Sequence, residues 1–461
     1  MKSTYSSTRL SRPRSRFATK AISALCVGAM GLAIAVVPAA TQASASSKTN
    51  INYWFWGESD IPGITKWMSQ RIATYEKANP GVSITLVPQS NTTIISSFTL
   101  ASQSKSGGPD IDTQWATLPT LLPALQGDVT PISNYVPSSE TKHWLNTNEN
   151  TIAGKVYAMP LYLIGVPLVW NKKLFVKAGL NPNVGPKTWS QFLADCAALK
   201  KHGITPLGMG NQDGYFGAWM FAIYEKQLLN SVTQLTQGVA NVGSSQAKLL
   251  SSLTTMYTML AGLIKSGYVN SNVESLSLNQ GWQLFPQSKA AMSFTTDGNV
   301  LSWAKAVGEA NVGVTAPPIW GSGKLASTYD TTQSSDEFLA SWSTNKAAAA
   351  KFLAFLHTPA NMVALNKETG AFPADNRFPT SDITDPLAKA LDKLDTSGTS
   401  VWLENDIPPQ IDSNADLPAG QLITSGSGTP AAAVALWKQQ LQKWQLEQPT
   451  QFSLFKKWAT G

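Results

Sequence analysis

Hydrophobic and polar positions change period several times along the chain, and each change predicts an element. Ile51–Trp56 alternates as a strand. Ile64, Trp67, Met68, Ile72 and Tyr75 follow at helical spacing, up to the breakers Asn79-Pro80-Gly81. Val82–Val87 alternates again, and Pro109-Asp110-Ile111-Asp112 reads as a short strand ending in polar residues. Leu118–Leu125 has helical character, kept short by Pro119 and Pro123. Thr188 followed by Gln191 three residues later predicts a capping box, and Trp189, Phe192, Leu193, Cys196 and Leu199 form one face of the helix it starts. Ala291–Phe294 is strand-like. Strands alternating with helices predict an α/β protein. The stretches near 238–246 and 412–430, rich in Gly, Ser and Asn, read as loops or linkers.

The first residues belong to none of these elements. Lys2, Arg9, Arg12, Arg14, Arg16 and Lys20 precede an apolar run over 21–40 and the small-residue site Ala43-Ser44-Ala45, the layout of a secretory signal over residues 1–45. Six of the seven net positive charges lie there, so the remaining chain is near +1 and its basic balance says nothing about nucleic acid. Cys26 follows bulky Leu25 early in the apolar run, which argues against a lipid-attachment site. Cys196 is then left without an intramolecular disulfide partner and is expected in the core. About 415 residues remain, which predicts two domains.

All 16 tryptophans lie beyond the leader. Asn52-Tyr53-Trp54-Phe55-Trp56 ends a strand with rings, and Glu58 and Asp60 follow in the loop. Ligands in open α/β sheets bind beyond the carboxyl ends of strands. Rings there can cover the C–H faces of a sugar while carboxylates and amides bind its hydroxyls. The same logic selects Trp56, Glu58, Asp112 and Trp115. In the stretch 210–224 it raises Asp213, Tyr215 and Trp219, of which Tyr215 is the chosen candidate and Trp219 is expected in the core. Asp297 and Gly298 follow a strand, and Trp320 and Tyr329 lie in a loop. His143, His202 and His357 are scattered and expected in solvent.

An ordered series of short motifs adds to this. Asn79-Pro80-Gly81-Val82, Gly108-Pro109-Asp110-Ile111, the long block Gly154–Leu180 followed by Pro186-Lys187-Thr188-Trp189, Lys289-Ala290-Ala291-Met292 with Asp297-Gly298, and Gly370–Ala374 resemble, in order, the signatures of the extracellular sugar-binding proteins of ABC importers, the group that includes maltose-binding protein. Trp170 replaces the family's usual tyrosine, and Val300 stands where it has a tryptophan. The resemblance implies a type II periplasmic-binding-protein fold: two lobes, each a mixed sheet flanked by helices, joined by hinge crossings. It places crossings near 160–165, 312–317 and 339–344, lobe 1 at 49–160 plus 312–340, and lobe 2 at 165–311 plus 344–461. It also implies that Tyr162 faces the cleft.

The implied function is an exported, monomeric receptor, periplasmic or cell-surface associated, that captures a disaccharide or oligosaccharide and delivers it to the transmembrane subunits of a permease. No metal, cofactor or nucleic acid is implied. A peptide or polyamine receptor, or a secreted glycoside hydrolase with paired carboxylates, are the alternatives. The chain lacks G-x-S-x-G, H-E-x-x-H, P-loop and dinucleotide fingerprints, so it is not expected to be an enzyme.

Overall fold

The computed structural model describes residues 48–333, 335–398 and 401–461. The secretory leader expected over residues 1–45, with Cys26, lies outside them. Two sheets organise the chain, and a smaller one stands between them.

The first sheet has Thr49–Phe55 near its centre, paired in parallel with Val82–Pro88 on one side and Ile111–Gln114 on the other. Asp336–Ala340 adds antiparallel to Ile111–Gln114 and also pairs with Val129–Thr130 and Ala158–Pro160. Alternation sends Ile51, Tyr53 and Phe55 into one core, where they meet Trp67, Met68 and Ile72 of helix Ile64–Ala78. That helix buries the five residues its spacing singles out. It stops at Asn79, whose N–H donates to the Tyr75 and Glu76 carbonyls.

The second sheet runs Thr205–Leu207, Ala290–Phe294, Leu168–Asn171, Val312–Thr315. Helix Trp189–Lys201 packs beside it. Both bonds of its capping box are made, Gln191 N–H to Thr188 Oγ1 (3.3 Å) and Thr188 N–H to Gln191 Oε1 (3.2 Å). Such a cap is worth about 1 kcal/mol. Cys196 is fully buried on its inner face, and burial pushes its thiol pKa up, so it is packing rather than chemistry.

The connections between these sheets run through the third. The chain leaves the first sheet at Pro160, forms Tyr162–Gly165, and enters the second at Leu168. It leaves the second sheet after Thr315, not within 312–315, and returns through Thr331–Gln333. The third crossing differs from the expected 339–344. Helices Lys346–Leu356 and Pro359–Thr369 bury Phe352, Leu353 and Leu365 in the first core, beside Tyr53 and Met68. Only Phe372–Pro373 joins the middle sheet, and helix Pro386–Thr396 then packs against the second sheet. The polar turn after Ala340 ends a strand, and a strand end looks the same in sequence whichever core the next helix joins. Residues 346–369 therefore belong with the first sheet rather than the second.

Two further expectations change. His357 is buried, not solvated, with Nε2 2.7 Å from the Pro160 carbonyl oxygen at the first crossing. Within 412–430, Asp412–Asp416 form a π turn that leads into helix Leu417–Thr424. Gly420 looks like a breaker, but a Cβ there would meet Gly217 Cα at 2.6 Å. The glycine is required by the approach of two backbones, and the helix is held by that contact.

Candidate functional site between the lobes

The central strand Thr49–Phe55 points its carboxyl end at the space between the two large sheets. Tyr53 and Phe55 face the core, with rings 5.6 Å apart and edge-on. The next residues turn sharply. Gly57 has φ 143°, and a Cβ there would stand 3.0 Å from Tyr162 Oη. This turn releases Trp56 toward the gap, where its ring lies over Trp115 at 4.3 Å between centroids and 35° between planes. Trp56 is 3% exposed, and its Nε1 has no hydrogen-bond partner. A buried indole N–H without a partner is costly unless something else accepts from it.

The second sheet's side supplies the facing wall. Trp219 meets Trp282 at 5.1 Å and Trp402 at 5.3 Å, both edge-on, and Tyr215 stands beside them. Trp282 is oriented by its Nε1 donating to the Phe294 carbonyl (2.9 Å), and Trp402 by donating to Glu404 Oε2 (3.1 Å). Four carboxylates complete the lining: Asp60, Asp213, Glu404 and Asp412. Asp213 accepts the Leu278 N–H (3.1 and 3.2 Å), while Asp412 Oδ1 has no partner. Burial, then Asp412, pushes Glu404 up; burial, then Asp416, does the same for Asp412. Tyr215 is raised by burial and by Asp412. Among the described residues no Lys, Arg or His lines this gap. Its cavity volume is about 80 Å³.

The two sides touch on both flanks of the gap. Thr296 Oγ1 donates to the Asp60 carbonyl (2.8 Å), and a Cβ on Gly298 would meet Ile61 Cδ1 at 2.6 Å and the Asp60 oxygen at 2.9 Å. Gly298 is the residue that lets helix Asp297–Val307 approach the loop after the central strand. On the other flank the Leu118 N–H donates to the Asn405 carbonyl (3.0 Å).

Of the residues singled out from sequence, Trp56, Trp115 and Tyr215 line the gap, and Gly298 closes its seam. The others lie elsewhere. Glu58 is exposed and its carboxylate accepts the N–H groups of Gly63 (2.7 Å) and Thr65 (3.0 Å), at the start of helix Ile64–Ala78. Asp112 is fully buried beneath the sheet, accepting from Gln114 Nε2 (2.9 Å). Tyr162 is fully buried in the middle sheet. Asp297 and Tyr329 are buried at the crossings with Asp395, and Asp297 accepts the Gly165 N–H. Trp320 packs on Trp189 and edge-on to Tyr224, away from the gap.

Trp219 and Asp213 were visible in the sequence and passed over for Tyr215. Trp402, Glu404, Asn405, Asp412 and Trp282 went unread. For the first two a signal existed: Trp402-Leu403-Glu404 repeats the ring-then-acid order of Trp56-Gly57-Glu58. Trp282 sits in a helix whose periodicity reads as core, and Asp412 in a stretch read as a linker.

Comparison with known proteins bears on the family and the fold. The family of bacterial extracellular solute-binding proteins matches residues 59–363, so the wall around Trp402 lies beyond the matched part. A protein of Brucella abortus (strain 2308), described as a binding protein, is 28% identical over 299 residues, 61% of this chain. The match spans 66% of that relative's length, just under two thirds. Among solved structures, a chitin oligosaccharide binding protein superposes with a TM-score of 0.75 at 20% identity, covering 86% of this chain and 98% of its own. Maltose-bound MalE3 of T. maritima gives 0.65 at 13% identity, covering 86% and 99%. These likenesses show the two-lobed fold, and with the family match they lead to one statement of kinship: the chain belongs to the bacterial extracellular solute-binding proteins.

Proposed function

We propose that this protein captures a carbohydrate between its lobes and delivers it to the transmembrane subunits of an ABC permease. It does so as an exported monomer working outside the cytoplasm. The observation that carries the reading is the lining of the gap: rings of Trp56, Trp115, Tyr215 and Trp402 from both sides, interleaved with carboxylates and no cation. Pyranose rings offer apolar faces to indoles and a rim of hydroxyl donors to carboxylates. A ligand that touches both walls favours the closed arrangement over an open one. The crossings at 160–168, 315–336 and near 372–386 are then the hinge, with lobe 1 drawn from residues 49–160 and 336–370 and lobe 2 from 168–315 and the chain after 386.

Polyamine capture is the second reading, favoured by the four carboxylates with no cation among them. Thermal shift and calorimetry with a panel of mono- and oligosaccharides, spermidine and putrescine separate the two. A ligand at a hundred times its dissociation constant stabilises by about 2.7 kcal/mol. Trp115, half-buried on the gap, is the residue to truncate: Trp115→Ala removes the sugar-induced shift with little change in the unliganded melting point. A shift with polyamines alone selects the second reading, and new reducing ends in the sugar arm would make the protein a hydrolase.

A further inference from the structure

The gap does not end at its aromatic walls. Tyr215, Asn91, Ile95, Pro119, Pro409 and Asp412 also line a second cavity that runs outward between the lobes. Helices Ile94–Ser104 and Leu118–Gln126 form one bank, and Pro409–Asp416 with the start of helix Pro449–Thr460 forms the other. Its volume is about 750 Å³, against about 80 Å³ for the inner gap. Small-ligand pockets run to about 300–1,000 Å³. The inner gap falls below that range and the outer groove inside it, so the inner gap holds only one end of any solute the site encloses.

The chemistry of the groove is distinct. Gln103 and Gln126 stand on one bank, and Gln410 and Gln451, joined by a hydrogen bond from Gln410 Nε2 to Gln451 Oε1, line the other, among serines and threonines. Among the described residues no Lys, Arg, His or Glu lines it, and its carboxyl groups are those of Asp128 and Asp412. Gln114, fully buried at its base, donates to Asp112 through Nε2, while its Oε1 has no hydrogen-bond partner. A buried acceptor without a partner at the base of the groove is costly to the folded protein unless a donor reaches it. Leu100, 69% exposed, adds an apolar lip. Amides both donate and accept, which suits a chain of hydroxyls and ring oxygens and gives no preference to a charged solute.

We infer that this groove is the outer part of the binding site, and that the solute is a linear, uncharged oligosaccharide longer than a disaccharide. Its inner end lies among the indoles and its outer units cross the amide banks. This rests on the carbohydrate reading above and goes beyond it by assigning the groove and the ligand's length and charge.

The test is calorimetry on the protein with chain-length series of malto-, cello-, xylo- and N-acetylglucosamine oligosaccharides, from monosaccharide to hexasaccharide. In the series that binds, affinity rises tenfold or more from di- to tetrasaccharide. The double variant Gln103→Ala with Gln126→Ala lowers tetrasaccharide affinity about tenfold, the loss of roughly two hydrogen bonds, and brings the tetra- to disaccharide ratio toward one. Tight binding of a mono- or disaccharide with no gain from longer chains overturns the groove assignment while leaving carbohydrate capture standing. So does an undiminished length dependence in the double variant. Failure of every series to bind overturns the carbohydrate reading itself, and the groove assignment with it.

Discussion

Trp56-Gly57-Glu58 and Trp402-Leu403-Glu404 carry the same local pattern, a ring followed two residues later by a carboxylate. Both tryptophans end in the gap, but the glutamates part. Glu58 has the start of a helix a few residues ahead, and two backbone N–H groups there hold its carboxylate at the surface. The positive end of a helix draws anions, so the nearest helix start claims the acid. Glu404 has no such claimant. It stays half-buried beside Trp402, near Asp412, and its pKa rises as a result. One local pattern thus yields a structural cap at one place and a carboxylate lining the gap at the other, according to which backbone donors lie within reach.

Four outcomes would sharpen or break this contrast. The largest concerns the rings. Trp56→Ala and Trp402→Ala each lower ligand affinity roughly 30-fold or more, as truncation of a buried aromatic hot spot does. Calorimetry well below the melting point separates this from their cost to stability. Next come the acids. Glu404→Gln lowers affinity about tenfold or more, the scale of hydrogen bonds to a charged group, while Glu58→Gln changes affinity less than twofold. Equal losses in the two variants would erase the distinction.

The third outcome is a pH dependence. Glu404 holds its proton above the usual carboxylate range, so it accepts ligand hydroxyls as an anion only once the pH has passed that raised value. Affinity therefore increases with pH above the ordinary carboxylate range, and Glu404→Gln flattens the increase. The stability of the unliganded protein moves the opposite way. The folded state binds this proton more tightly than the unfolded state, so the contribution of Glu404 to stability declines as pH rises through that window. Glu404→Gln removes the decline, and its melting point relative to the parent improves from acid toward neutral pH. The smallest effect is on the cap. Glu58→Ala costs about 1 kcal/mol of stability in denaturant titration, in line with the loss of a helix cap, with ligand affinity retained.

Elements with a strong period were legible from sequence. The helix from Ile64 buries the residues its spacing names, and the helix from Trp189 carries the box that Thr188 and Gln191 announce. Half of the gap was legible too, because Trp56 and Trp115 follow strands whose carboxyl ends face it. The carboxylates were less so, although Asp60 and Asp213 were in view. Asp112, Asp297 and Glu58 have the right type and the right place in the chain, yet each is taken up by a nearer partner: Gln114, the Gly165 N–H, and the start of a helix. A side chain's availability depends on every donor around it, and most of those come from distant segments.

Local chemistry alone determined which stretches are strands and helices, that they alternate, and that rings end the central strand, because periodicity, caps and breakers act over a few residues. The tertiary structure alone decided which core receives 346–369, that Gly420 lies within a helix pressed on Gly217, and that Trp402 and Asp412 close the gap opposite Trp56. The reason is physical. Packing joins residues hundreds of positions apart, and no local pattern records which surfaces will meet.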